Sequence, residues 1–261
     1  MAAGSGSAEG APFTGVGVAL VTLFDDRGDL DAPATADLAA RLVALGVRAV
    51  VVAGSTGEAA ALSPTERIEL LRSVRGTVAG VPVIAGTGAP SSRQAAELTA
   101  AAADNGADAV LALSPPGAAD PRPYYDEVAK AAGATPVLAY HWPALSPPGI
   151  PVAMLADLPV GGCKDSSGSA DRMLETLVGY DGPLYVGSSA LLALAGPAGC
   201  AGAILGLANA DPEGCIAAFS GDAAAQRALA AGHARSSSSF PRGVKELTAE
   251  RFGTSTVTRM G

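Results

Sequence analysis

Eight short apolar runs alternating with alanine-rich, helix-like stretches predict an α/β fold, a TIM (β/α)8 barrel with a short C-terminal helical extension. Three observations lead there. The strand–helix alternation keeps a steady period, which builds βαβ units. The apolar runs are nearly uniform rather than alternating, as strands are when both faces of a parallel sheet are buried. The length, 261 residues, suits such a barrel as one domain. An open doubly wound sheet is the competing layout. Its dinucleotide-binding version is weakened because no GxGxxG follows the first strand.

Taken in order, strands are expected over residues 15–23, 49–53, 82–86, 109–113, 136–140, 161–164, 184–187 and 202–205. Helices are expected over 32–45, 64–78, 91–105, 123–132, 151–155, 170–178 and 190–195. Ser63-Pro64-Thr65-Glu66 is a capping box with proline at the first helical position. Gly46 and Asn105-Gly106 supply helix stops. The segment 211–234 reads as helical, and 240–247 as one more short helix. The expected organisation is a disordered lead-in over 1–12, the barrel over 13–210 and a helical region over 211–261.

Composition narrows the function. A net charge of −8 without a basic run argues against nucleic acid or an anionic membrane surface as partner. Cys163, Cys200 and Cys215 are too widely spaced for a disulfide framework or a paired metal motif. His141 and His233 are too few for the usual zinc sites. The expectation is a cytoplasmic protein with no metal and no cofactor. The N-terminus has neither a basic nor an apolar region of the signal-peptide kind. Residues 183–210 carry no charge and are long enough to span a bilayer, but glycines and Pro197 divide them into strand, helix and strand.

In such a barrel, reactive groups gather at the C-terminal strand ends. Those ends read Gly54-Ser55-Thr56-Gly57-Glu58, Tyr140-His141-Trp142-Pro143, Lys164-Asp165-Ser166-Ser167-Gly168 and Gly187-Ser188-Ser189. Lys164 stands out because the chain has only three lysines against fourteen arginines. A lysine walled in by apolar residues loses hydration, and its pKa falls. The neutral amine attacks carbonyls to form a Schiff base. A lysine reaching the barrel rim, or one paired with Asp165, is the structural alternative. Tyr140 ends the preceding strand and could pass protons to that amine, or simply close the barrel top. The turn Gly54-Ser55-Thr56-Gly57 offers backbone N–H groups suited to a carboxylate, although any tight βα turn looks similar. His141 reads as a structural or pocket-lining group, Asp165 as a backbone acceptor and Cys163 as barrel packing.

The set GSTGEAAALSPTER, then Tyr140 followed by Pro143, then GCKDSSG, resembles the dihydrodipicolinate synthase / N-acetylneuraminate lyase family, which are class I Schiff-base pyruvate aldolases. The resemblance implies Lys164 as imine-forming lysine and Tyr140 as acid/base. It implies Ser55 and Thr56 in the carboxylate-binding turn, with Thr56 also relaying protons. Gly54 belongs to the same turn, and Gly187 and Ile204 fall where the family places backbone near the keto acid. It further implies a pyruvate-like 2-oxo acid and an aldehyde as substrates, and a homo-oligomer, dimer or tetramer. Two positions depart from the synthases. Ser114-Pro115-Pro116-Gly117 stands where they carry a tyrosine pair, and Leu145 lies where they carry an arginine. The expected reaction is cleavage or formation of a 2-oxo-4-hydroxy acid, of the 2-keto-3-deoxy sugar acid or 4-hydroxy-2-oxoglutarate type. The alternatives are dihydrodipicolinate synthase or a related dehydratase, and a non-catalytic keto-acid-binding barrel.

Overall fold

The computed structural model describes residues 10–260. Eight parallel strands close into a barrel: β1 (Gly15–Ala19), β2 (Ala49–Val52), β3 (Val83–Gly86), β4 (Ala109–Leu113), β5 (Val137–His141), β6 (Cys163–Asp165), β7 (Leu184–Val186) and β8 (Gly202–Leu205). Each pairs with its sequence neighbours, and β8 returns to β1 with Ile204 opposite Gly17. The TIM barrel read from the sequence is therefore present. β1 ends earlier than the apolar run does. Beyond Ala19, Val21 N–H donates to Asn209 Oδ1 and Leu23 N–H to Thr35 Oγ1, so side chains replace the ladder.

The helices are α1 (Ala32–Ala44), α2 (Pro64–Thr77), α3 (Ser92–Asp104), α4 (Arg122–Ala132), α5 (Ala170–Gly179), α6 (Leu192–Ala198) and α7 (Pro212–Phe219). α2 opens on the expected capping box: Glu66 N–H donates to Ser63 Oγ, and Ser63 N–H to Glu66 Oε2. Such caps contribute about 1 kcal/mol. No α-helix follows β5. A 3-10 turn, Val152–Asp157, stands where a short helix is expected. Pro143, Pro147, Pro148 and Pro151 remove the N–H donors that an earlier helix would use. α7 packs on β1 and completes the ring of helices.

The extension comprises α8 (Ala223–Ala228), α9 (Ala230–Ser238) and α10 (Arg242–Phe252). The helical run expected over 211–234 is broken at Gly221, whose φ of +97° is left-handed. The last helix runs further than the 240–247 expected. Of the lead-in, residues 1–9 lie outside the described residues. The uncharged segment 183–210 is β7, α6 and β8, and among the described residues no helix is long and apolar enough to cross a membrane.

Strand alternation sorts the core into two layers. Ile84, Leu111, Leu138, Tyr140, Tyr185 and Ile204 fill the barrel interior. Val50, Val110, Ala139, Cys163 and Val186 face the helices. Cys163 is thus packing, as the alternation predicts. Lys164 is in register with Tyr140 on one side and Tyr185 on the other, so all three point inward at one level.

Candidate active site

The barrel interior delivers Lys164 to a wall of rings. Its Nζ lies 4.2 Å from the centre of the Tyr140 ring, and the residue is only 5% exposed. Burial strips water from the ammonium and lowers its pKa from 10.5 to about 7. Asp165 does not pair with it. Asp165 points to the helix layer, where Oδ2 accepts from Arg172 Nε at 3.1 Å and Oδ1 from Ser167 N–H at 2.7 Å. That removes the ion-pair alternative and leaves a buried amine near neutrality.

Tyr140 is also buried, and desolvation pushes its phenol up to about 12. The neighbouring hydroxyls of Ser166 and Ser55 pull the other way. Ser55 thus reaches Tyr140 from the β2 turn. Ser166 reaches it from just past β6, and the sequence reading assigned it nothing. Its signal lay in Gly187: a Cβ there would overlap Ser166 Oγ. Gly187 is the residue that lets the Ser166 hydroxyl sit where it does, while its own N–H donates to Asp165 O.

The turn after β2 carries two adjacent N–H groups, those of Ser55 and Thr56, that have no protein acceptor among the described residues. Gly57, Glu58 and Ala59 instead close the turn by donating to Gly54 and Ser55 carbonyls. Two neighbouring free N–H groups make a nest for a carboxylate. Gly54 begins the turn, and the Thr56 hydroxyl lies against Gly206 at the end of β8. Ile204, wholly buried, belongs to the same interior layer as Tyr140. Ala53 (φ +50°) and Glu58 (φ +56°) are left-handed at either side of the turn, a strained arrangement for non-glycine residues. Glu58 is anchored firmly: it pairs with buried Lys245 and accepts the N–H groups of Arg259 and Met260 on Oε2.

His141 points away from the lysine. Its Nδ1 accepts Ile150 N–H at 2.8 Å, and burial with the nearby Arg172 charge lowers its pKa to about 4. It is a structural histidine. Tyr124 and Tyr125 lie on α4, as the sequence indicated, and are occupied structurally. Tyr125 OH donates to Ala112 O and accepts Tyr140 N–H, and Tyr124 OH accepts Ala89 N–H. No group of three or more His, Cys, Asp or Glu side chains suited to a metal occurs among the described residues.

Above Tyr140, Gly54 and Ser55 opens a cleft of about 740 Å³. Its outer walls come from the end of β4 (Leu113, Ser114, Pro116), the loop after β5 (Leu145, Ser146) and the C-terminal region (Phe240, Met260).

The sequence pattern of the dihydrodipicolinate synthetase family matches residues 12–256. The chain belongs to this family. Its members are class I pyruvate-dependent lyases that work through a lysine Schiff base. Among curated relatives, a 4-hydroxy-tetrahydrodipicolinate synthase from Pseudomonas aeruginosa is 38% identical over 81% of this chain and 77% of its own. One from Natronomonas pharaonis is 38% identical over 63% of this chain and 58% of its own, so the chain spans little over half of that relative. A prophage protein of the family from E. coli K12, solved in complex with pyruvate, superposes with a TM-score of 0.85 at 25% identity, covering 94% of this chain and 91% of that one.

Proposed function

We propose that the chain is a class I aldolase in which Lys164 forms an imine with a 2-oxo acid and C–C bond cleavage or formation follows. The observation that carries this reading is the Lys164 amine, buried, unpaired by any carboxylate and beside the Tyr140 phenol. A near-neutral pKa supplies the free base that attacks the 2-oxo carbon. The Ser55 and Thr56 N–H groups hold the acid's carboxylate and fix the approach. Tyr140 stays protonated at neutral pH and serves as the acid that lets water leave the carbinolamine. Ser55, Thr56 and Ser166 carry protons to and from it. The protonated imine then accepts the electrons of the C3–C4 bond of a 2-oxo-4-hydroxy acid. Gly187 and Ile204 shape the floor beneath the 2-oxo acid, and no cofactor is needed for these steps.

The names of the two relatives favour a second reading, a synthase acting on an anionic aldehyde. That chemistry needs a cation on the cleft wall. Among the described residues Arg67 is the single cation lining it; its Nη atoms are held by Gly86 O and Ala59 O, and only its buried Nε is without a partner. Leu145 stands on the wall instead. A cytoplasmic homo-oligomer, a dimer or tetramer, is part of the proposal, and light scattering in solution tests the assembly.

Borohydride reduction in the presence of pyruvate, followed by peptide mass spectrometry, tests the imine. The expected result is a reduced pyruvyl adduct on Lys164 that is missing in Lys164→Ala. Absence of any adduct, with pyruvate or longer 2-oxo acids, refutes the aldolase and leaves a binding barrel.

A further inference from the structure

We infer that the aldehyde half of the substrate is a bulky, uncharged aromatic aldehyde seated against the Leu113, Leu145 and Phe240 wall of the cleft. The inference rests on the imine reading above and names its missing partner.

Four features point the same way. Six large hydrophobic residues are exposed among the described residues, and three of them line this cleft: Leu145 at 48%, Phe240 at 39% and Met260 at 49%. Apolar groups kept in water beside a reactive lysine mark a place for an apolar ligand. Rings are scarce, at 4% of the chain, yet three meet here. Trp142 stacks on Tyr140 at 6.1 Å and meets Phe240 edge-on at 5.3 Å. A substrate ring would extend that array in the offset or edge geometry aromatic pairs prefer.

Charge and hydroxyl supply disfavour the other aldehyde classes. Arg67 is the one cation on the lining among the described residues; its Nη atoms already serve the Gly86 and Ala59 carbonyls, which leaves a carboxylate a single buried Nε rather than a two-pronged clamp. Glu97, the only carboxylate on the lining among the described residues, faces solvent and pairs with Arg93. A polyhydroxylated aldehyde would shed water from several hydroxyls and find few partners. The Ser146 hydroxyl is already donated to Ser114 O. Ser114 Oγ, on a residue only 2% exposed, is the one buried lining hydroxyl without a partner, which suits a single polar substituent.

The balanced step is a retro-aldol. The neutral Lys164 amine, the 2-oxo group and one proton give the protonated imine and water. The C3–C4 bond breaks, its electron pair moves toward the imine nitrogen to give an enamine, and the C4 hydroxyl loses a proton as it becomes the aryl aldehyde carbonyl. That proton is delivered to C3. Water then releases pyruvate and returns the amine and the proton first taken up.

The test uses the full chain with pyruvate and, separately, benzaldehyde, glyceraldehyde or glyoxylate. Aldol product is quantified by mass spectrometry, with borohydride trapping of pyruvate in parallel. The expected kcat/KM for benzaldehyde is roughly tenfold or more above the others, the scale set by one well-filled apolar pocket. Leu145→Arg, at a half-exposed position that tolerates charge, should lower the benzaldehyde rate and raise that of glyoxylate. A trapped lysine with glyoxylate or glyceraldehyde preferred, or with no benzaldehyde turnover, overturns this inference alone. A preference unchanged in Leu145→Arg also overturns it. Failure of trapping overturns the imine reading as well.

Discussion

Replacing Lys164 by methionine should abolish chemistry and stabilise the protein. Burial lowers the amine pKa from 10.5 to about 7, and each pH unit corresponds to about 1.4 kcal/mol. The charged form is therefore disfavoured in the fold by about 5 kcal/mol. The sign follows from proton binding. Between the two pKa values the unfolded lysine holds a proton that the folded one has lost, so wild-type stability rises with pH across that window. The penalty is fully present below about pH 7 and gone above about pH 10.5. Methionine fills similar space without the charge. Its gain should be about 5 kcal/mol near pH 6 and only about 1–2 kcal/mol near pH 9.5. Urea unfolding of both proteins at the two pH values measures it. A methionine variant that gains nothing, or gains equally at both pH values, would refute the claim that Lys164 is a desolvated amine.

The same pKa makes the pyruvate trapping rate climb about tenfold between pH 6 and pH 8, as the free amine appears; a flat profile speaks against it. Tyr140→Phe should keep the trapped adduct at long times but lose about 10²–10⁴-fold in kcat, the range for a positioned acid/base group. Ser166→Ala should cut kcat by roughly tenfold, one hydrogen bond's worth, with little change in the KM for pyruvate; an unchanged kcat removes Ser166 from the proton path. Lys245→Met leaves buried Glu58 short of its charge partner and should cost about 3–5 kcal/mol in urea unfolding, part of which Glu58→Gln restores.

Much of the molecule could be read from residues alone, because both signals that define it are local. Uniform apolar runs, helix stops and a capping box mark strands and helices, and period-2 alternation told Lys164 and Tyr140 apart from Cys163 and His141 before any contact was known. What escaped was non-local or negative. The helix missing after β5 reflects several prolines acting together on a connection. Ser166 escaped because its partner is an absence, the lacking Cβ of Gly187 just past the next strand. The apolar cleft escaped because Leu113, Leu145, Phe240 and Met260 are distant in sequence and meet only through the closed barrel. The buried pair of Glu58 and Lys245 joins positions that no periodicity relates.

That pair has a consequence in time. Glu58 receives its backbone donors from Arg259 and Met260, some 201 positions later in the chain. At about 5–20 residues per second of synthesis, roughly 10–40 s separate the making of the carboxylate turn from the making of its anchor. A nascent barrel could close its strands in that interval while the left-handed Glu58 still lacked its clamp. Newly made chains would then be folded before they are competent, and ribosome-bound barrels lacking the last residues should hold pyruvate weakly while matching the finished protein in helix and strand content.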